Sequence, residues 1–362
     1  MAGLGFLKDF KKKVATMTNV STTFCPPKKW FSTGNYAINR VLSGSYIRGY
    51  PAGRLTAFAG PSASGKSFLT CNAIREAQKE GAFILVLDSE NALDPVFMKK
   101  IGVDIDPSKL MYVQVVTIQD CTAVLSNFLK GYEKEYGRYN KDAPDVVIVL
   151  DSLGNLLTDG EDEKFEKGVQ TGDQGQSAKL KKHMLRTLVS RFARLDVPMI
   201  FTDQVYPQDV MLGDGPWAIT NGVKYSTSQI ALITKLNLKD NDKEFIGIKM
   251  RVESYKSRFA KPKTKTEIEV PYTTGMSAYS GMFDLMEMDG ILTKVGFSWT
   301  TEVNGEQIKF MEKNVTQEIV DKILQHPIVR KMEADFEEEE ANEATVFGET
   351  LLEGEAEEAS VE

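Results

Sequence analysis

Residues 54–67 read RLTAFAGPSASGKS, and the helical run FLTCNAIREAQKE follows at 68–80. Gly60 to Ser67 has the form G-x-x-x-x-G-K-S between an apolar strand and a helix, where backbone N–H groups can surround phosphate oxygens. Glycines stand where a side chain would block that approach. On this reading Gly60, Pro61, Ser62, Ala63, Ser64 and Gly65 wrap the phosphates and Lys66 reaches the β- and γ-phosphates. The Ser67 hydroxyl is a ligand for Mg2+, and Phe68 completes the set on the first helical turn. The competing reading is a chance Gly/Ser loop with one lysine, against which the correctly placed strand and helix argue. ATP and Mg2+ are therefore the expected cofactors.

Outward from this loop, RLTAFA, FILVLD, LMYVQV, DVVIVLD and PMIF alternate with mostly helical stretches between Arg54 and Phe201. Continuous apolar runs predict strands buried on both faces, and hence an α/β fold with a mainly parallel, doubly wound sheet. After Gln229 the segments QIALITKLNL, FIGIKMRVESY and KTEIEV follow one another across short polar turns, so the sheet should finish in antiparallel strands. A small C-terminal module containing SGMFDLMEMDGI and a helix near Gln317 to Leu324 is expected next. The resulting division is 1–33 (N-terminal helix and linker, the expected protomer contact), 34–275 (core), 276–332 (C-terminal module) and 333–362 (acidic tail).

The chain has 362 residues, 42% of them hydrophobic, enough for a substantial core. No run approaches a membrane span, and the N-terminus lacks a signal core, which predicts a soluble cytoplasmic protein without a membrane partner. From Leu4 to Met17 apolar residues (Leu4, Leu7, Phe10, Val14, Met17) recur at helical spacing among Lys8, Lys11, Lys12 and Lys13. Such a helix packs on protein or lies on a membrane surface. Cys25-Pro26-Pro27 reads as a linker. Cys25, Cys71 and Cys121 lie far apart, and His183 and His326 have no nearby ligand partner, so neither a disulfide framework nor a zinc site is expected. The formal net charge is −7, yet residues 333–362 hold thirteen acidic residues and no Lys or Arg, leaving +6 on the rest of the chain. That tail either competes for a polyanion site or simply solubilises the protein; composition does not choose.

Two carboxylates extend the phosphate site. Asp151 ends the apolar run DVVIVLD, where α/β ligand sites open, and is the expected second Mg2+ ligand beside Ser67. Glu90 lies just beyond FILVLD at the same sheet edge, where it can orient the attacking water; by position alone it can equally be an exposed loop acid or helix cap.

With these residues in view, the chain resembles the RecA-type recombinases, and within them the UvsX-like proteins of tailed phages. The likeness runs from about Asn35 through the C-terminal module. It is carried by LSGSYIRGYPAGRLTAFAGPSASGKS (42–67), DSENALDPVFMKKIGVD (88–104), VIVLDSLGNL (147–156), IFTDQV (200–205) and RVESYKSRFAKP (251–262), in the family's order and spacing. The resemblance implies a RecA-like core in which Glu90 is the catalytic glutamate, Asp94 and Phe97 sit near the adenine, and Gln204 senses the γ-phosphate. Lys256 and Arg258 would reach the ATP of a neighbouring protomer; without the resemblance they read as solvated strand charges.

The resemblance further implies that Thr158 to Gly175 and Val205 to Gly222 are DNA-binding loops. Lys179 and Arg186, with Lys181 and Lys182 nearby, would contact DNA phosphates, and Lys224 joins them after the second loop. Tyr206 and Trp217 would stack on or wedge between bases, although Trp217 can instead pack on its own domain. A basic helix is otherwise commonly a solvated face. The sequence departs from the bacterial pattern in three places. The first loop carries Glu161, Asp162, Glu163 and Glu166, Asp203 stands where bacterial members have asparagine, and the N-terminal segment matches poorly.

What the family implies is a DNA-stimulated ATPase that forms a helical homo-oligomeric filament on single-stranded DNA and exchanges strands with a duplex. A single-strand-binding protein and a recombination mediator would be its partners. The rivals are a ring helicase with the same motor, a P-loop kinase or assembly factor without DNA, and a DNA coat protein with a vestigial site. The intact Lys66, Ser67, Glu90 and Asp151 argue against the last.

Overall fold

The apolar runs of the sequence become the strands of one eight-stranded sheet. The computed structural model describes residues 4–15, 27–169, 175–208, 216–240, 242–334 and 336–337. It divides into two units, Met1–Pro26 with Arg330–Glu362 and Pro27–Val329.

In the first unit, α1 (Leu4–Ala15) carries Phe6 and Phe10 with their rings stacked at 6.0 Å. Met17, Cys25, Pro26 and residues 338–362 of the acidic tail lie outside the described residues.

The second unit begins with β1 (Trp30–Phe31), α2 (Tyr36–Ser43), β2 (Tyr50–Pro51), β3 (Leu55–Gly60) and α3 (Lys66–Lys79). Next come β4 (Phe83–Asp88), α4 (Pro95–Ile101), β5 (Leu110–Gln114), α5 (Ile118–Tyr136), β6 (Val146–Asp151), α6 (Asp159–Glu166) and α7 (Gln176–Leu195). Then follow β7 (Met199–Gln204), β8 (Tyr206–Pro207), β9 (Trp217–Ala218), α8 (Asn221–Ser226), β10 (Gln229–Lys239), β11 (Phe245–Ser257) and β12 (Lys265–Pro271). The last elements are α9 (Met282–Met288), β13 (Thr293–Val295), β14 (Ser298–Val303), β15 (Glu306–Phe310) and α10 (Gln317–Ile323).

The sheet order is β12-β11-β10-β3-β7-β6-β4-β5. All pairs from β10 through β5 are parallel, and β10-β11-β12 are antiparallel, so the sheet ends as the sequence predicted. β3, β6, β7 and the body of β4 are buried, as continuous apolar runs require. LMYVQV is the exception: β5 is the edge strand, with Met111 and Tyr112 facing solvent.

Helices cover the sheet through regularly spaced apolar stripes. α5 buries Ile118, Cys121, Leu125, Leu129 and Tyr132, and the Thr117 side chain caps it by accepting from the Asp120 N–H. α7 buries Met184, Leu185, Leu188, Phe192 and Leu195, which join the α5 stripe and the sheet in one core. A fully buried side chain such as Phe192 contributes about 1.5–3 kcal/mol.

The first glycine-rich loop is not all loop. Asp159–Glu166 forms α6, closed by a capping box in which Thr158 accepts from the Glu161 N–H at 3.1 Å and Glu161 accepts from the Thr158 N–H at 2.7 Å. Asp159, Glu161 and Asp162 lie in its first turn, where the helix dipole favours negative charge. The C-terminal sheet β13-β14-β15 packs Trp299 and Phe310 on Phe283 of α9. Asp289, just past α9, is clasped by Arg40 of α2 at 2.8 and 3.0 Å and by the buried Tyr46 hydroxyl at 2.8 Å. No helix among the described residues is long and apolar enough to cross a membrane.

Candidate functional site

β3 ends at Gly60 in the middle of the sheet, between β10 and β7, and α3 starts six residues later at Lys66. A Cβ on Gly60 would lie 2.2 Å from the Ile233 carbonyl oxygen and 2.7 Å from Ser64 Oγ, so only glycine fits. Gly65 caps α3 at φ 99°, a left-handed conformation that also favours glycine. Lys66 is 9% exposed, and its Nζ donates to the carbonyls of Gly60 and Pro61 at 3.0 and 2.9 Å. Burial holds its ammonium below the ordinary lysine value, against the raising fields of Glu90, Asp151 and Asp203. Ser62 and Ala63 are exposed on the loop, Phe68 is half-buried on the first turn of α3, and Ser64 Oγ is buried without a hydrogen-bond partner.

The strand ends beside this loop supply carboxylates. Registers place Asp88 of β4 opposite Asp151 of β6, and Gln204 of β7 opposite Gly60. Asp151 is 1% exposed; its Oδ1 accepts from the Thr202 hydroxyl, while Oδ2 is buried without a partner. Burial pushes its carboxyl up, the nearby Thr202 and Ser67 hydroxyls pull it down, and the fields of Glu90 and Asp88 raise it. An orphaned carboxylate oxygen beside a serine hydroxyl suits a cation that completes its shell with phosphate oxygens and water. Among the described residues no three His, Cys, Asp or Glu side chains could cage a metal by themselves. The residues thus fit Mg-ATP: Ser67 and Asp151 would hold the ion, which neutralises phosphate charge when bound.

Glu90 is half-buried and held twice. Its N–H donates to Asp88 Oδ1 at 2.9 Å, and its carboxylate accepts from the Ser152 hydroxyl. Ser152 is locked in turn to Ser89, whose Oγ donates to the Ser152 carbonyl at 2.7 Å and accepts from its N–H at 3.0 Å. Asp88 is a residue the sequence reading missed. Fully buried, it also accepts from the Leu93 N–H and the Tyr112 hydroxyl, fixing the turn that presents Glu90. The signal was available, since Asp88 ends an apolar strand as Asp151 does.

At the end of β7, Asp203 is 4% exposed and its Oδ2 has no hydrogen-bond partner. Burial pushes its carboxyl up to about 6, opposed by the Gln204 N–H and by the fields of Lys181 and Lys66. Asp94 is the N-cap of α4, accepting from the Val96 and Phe97 N–H groups at 2.8 and 3.0 Å, while Phe97 is half-buried on the helix. Asp94 also lines a groove of about 710 Å3 with Leu93, Met98, Leu110 and Tyr112, which contains no residue of the phosphate loop.

Lys179, Lys182 and Arg186 are exposed and share one stripe of α7, spaced three and four residues apart. Tyr206 is 56% exposed at the start of the second loop, in a two-residue ladder with β9. Trp217 in β9 packs against the core, the alternative that the sequence left open. Residues 170–174 and 209–215 of the two loops lie outside the described residues. Lys224 of α8 places its ammonium 5.2 Å from the Tyr255 ring centre. Arg258 is exposed, whereas the half-buried Lys256 turns back on its own protomer and donates to the carbonyls of Lys224 and Thr227.

The family described as RecA N-terminal domain matches residues 8–277. The chain is 30% identical over 294 residues to Protein RecA of Chlorobium chlorochromatii, covering 80% of this chain and 78% of that protein. It is 30% identical over 309 residues to Protein RecA of Thioalkalivibrio sulfidiphilus, covering 85% and 84%. Against Protein RecA of Gluconacetobacter polyoxogenes it is 29% identical over 326 residues, covering 89% and 85%.

Proposed function

The chain belongs to the RecA family, and on that premise we propose how its own residues carry out the family's reaction. It is a DNA recombinase and a DNA-dependent ATPase, of a family that uses ATP, generally with Mg2+, and forms filaments on DNA. Within the family we read it, from the resemblance of its motifs, as one of the UvsX-like recombinases of tailed phages, acting in a host cytoplasm with a single-strand-binding protein and a mediator as partners.

The observation that carries the assignment of roles is the convergence of Lys66, Ser67, Asp151, Glu90 and Gln204 at the adjoining ends of β3, β6, β4 and β7. Glu90, fixed by Asp88 and Ser152, polarises the attacking water. Lys66 and the loop N–H groups take the phosphates, and Gln204, beside Gly60, contacts the γ-phosphate. Lys256 and Arg258 reach the ATP of the next protomer, so that assembly through residues 1–33 completes the site. Single-stranded DNA lies along the Lys179, Lys182 and Arg186 stripe, with Tyr206 and Lys224 at the second loop, and a duplex is paired to it. Head-to-tail contacts that do not close give the helical filament.

The test is ATP turnover with and without single-stranded DNA, in the parent chain and in Glu90→Gln and Arg258→Ala. Strong DNA stimulation is expected, with Glu90→Gln slowing turnover by about 10²–10⁴ and Arg258→Ala removing the stimulation. Turnover indifferent to DNA would overturn the proposed roles.

A further inference from the structure

Lys181 differs from the exposed Lys179, Lys182 and Arg186 of α7. It is half-buried, and its Nζ donates to the Gly154 carbonyl at 2.7 Å, so the first long helix after the first loop is pinned to the turn that follows Asp151. Gly154 in turn lies against β7: a Cβ placed on it would be 3.4 Å from Asp203 Oδ1 and 3.7 Å from Gln204 Cγ. Asp203 is 4% exposed, with one carboxylate oxygen lacking any hydrogen bond. Burial disfavours its charged form, which the Gln204 N–H and the fields of the Lys181 and Lys66 ammonium groups support. A buried carboxylate within the fields of two such cations responds to whatever draws one of them away.

We propose that Asp203 and Lys181 form a positioning pair that couples nucleotide to DNA, holding α7 against the Gly154 turn when phosphate engages Lys66. The inference deepens the reading of Gln204 and α7 given above and rests on it. A triphosphate adds negative charge beside Asp203 and recruits Lys66 to its own oxygens. Asp203 then depends more strongly on Lys181, which tightens its hold on the segment joining Gly154, Asp203 and Gln204. α7 carries the exposed Lys179, Lys182 and Arg186, so fixing it fixes the DNA-facing stripe. By linkage, DNA that orders α7 favours the triphosphate state to the same degree.

The experiment measures the single-stranded DNA affinity with a slowly hydrolysed ATP analogue and with ADP, the ratio of the two being the coupling factor. It is run on the full chain and on Lys181→Met, Asp203→Asn, the double variant and Lys181→Arg. Lys181→Met and Asp203→Asn should each reduce the coupling factor by about tenfold, within the ordinary range of allosteric coupling. The double variant should lose no more than either single variant, because both substitutions remove the same pair, and Lys181→Arg should retain the coupling. Should Lys181→Met fail to fold, Asp203→Asn and Lys181→Arg still decide the matter. Unchanged coupling in Asp203→Asn, or a double variant that is merely the sum of the singles, overturns the pair while leaving the nucleotide and DNA roles standing. A parent chain with no coupling at all overturns those roles as well.

Discussion

Lys256 Nζ donates to the Lys224 carbonyl oxygen at 2.5 Å and also to that of Thr227 at 2.6 Å, so this β11 lysine closes the C-terminal end of α8. Lysine at a helix C-terminus satisfies carbonyls that have no partner within the helix. Burial, and then the neighbouring Arg258, hold its ammonium below the ordinary lysine value. A role at the next protomer's ATP would require it to leave these carbonyls, which links assembly to the helix that follows the second loop.

Lys256→Met should therefore lower stability by about 1–3 kcal/mol as well as impair DNA-stimulated turnover. The exposed Arg258 is different: Arg258→Ala should change stability by no more than about 0.5 kcal/mol while losing the same stimulation. Thermal denaturation beside ATPase assays separates the two. Equal stability in both variants would count against the clasp on α8.

Asp203 makes stability depend on pH in a defined direction. Its carboxyl is pushed up to about 6 from an ordinary 3.8. Between these values the folded state binds the proton more tightly than the unfolded state, so stability is greatest at the acid end and falls as pH rises through 6. Asp203→Asn should thus be more stable than the parent at pH 7.5, by up to about 2–3 kcal/mol, and lose that advantage near pH 4. Melting curves across this range check it, and a constant difference would contradict it.

Lys179 and Arg186 should behave as phosphate contacts rather than base readers. Each alanine variant should weaken single-stranded DNA binding uniformly across sequences and reduce the slope of log K against log salt by about 0.7. A slope identical to the parent's would mean that this stripe only meets water.

A chain ended after Met332 loses thirteen acidic residues and no basic ones. It should bind DNA more tightly, most clearly at low salt, because competition for the basic surface is removed. Filter binding or anisotropy at several salt concentrations reads this directly. Unchanged affinity and salt dependence would leave the tail a solubilising role.

The phosphate loop, the sheet and its antiparallel finish could be read from the sequence because their signals are local: strand, glycines, lysine, serine, helix, in that order. β5 was misjudged because an apolar run reports hydrophobicity and not whether a neighbour covers it; Met111 and Tyr112 lie on the open edge. The helix α6 was there to be seen in the T-x-x-E spacing of Thr158 and Glu161, but the surrounding glycines and acids drew the reading to a loop. Asp88 passed unnoticed beside Glu90 because its three hydrogen bonds come from Glu90, Leu93 and Tyr112, the last of them on another strand. Nothing in the sequence marks Lys256 as a helix clasp or Lys181 as distinct from its neighbours, since both depend on carbonyls far away along the chain.

Gly60 has a consequence for inheritance. Its missing side chain would collide with a main-chain oxygen of the adjoining strand, which no rotamer can move aside. Every missense codon at this position should therefore behave as a null allele, with alanine no milder than valine, and suppressors should arise by reversion rather than by change at a second site.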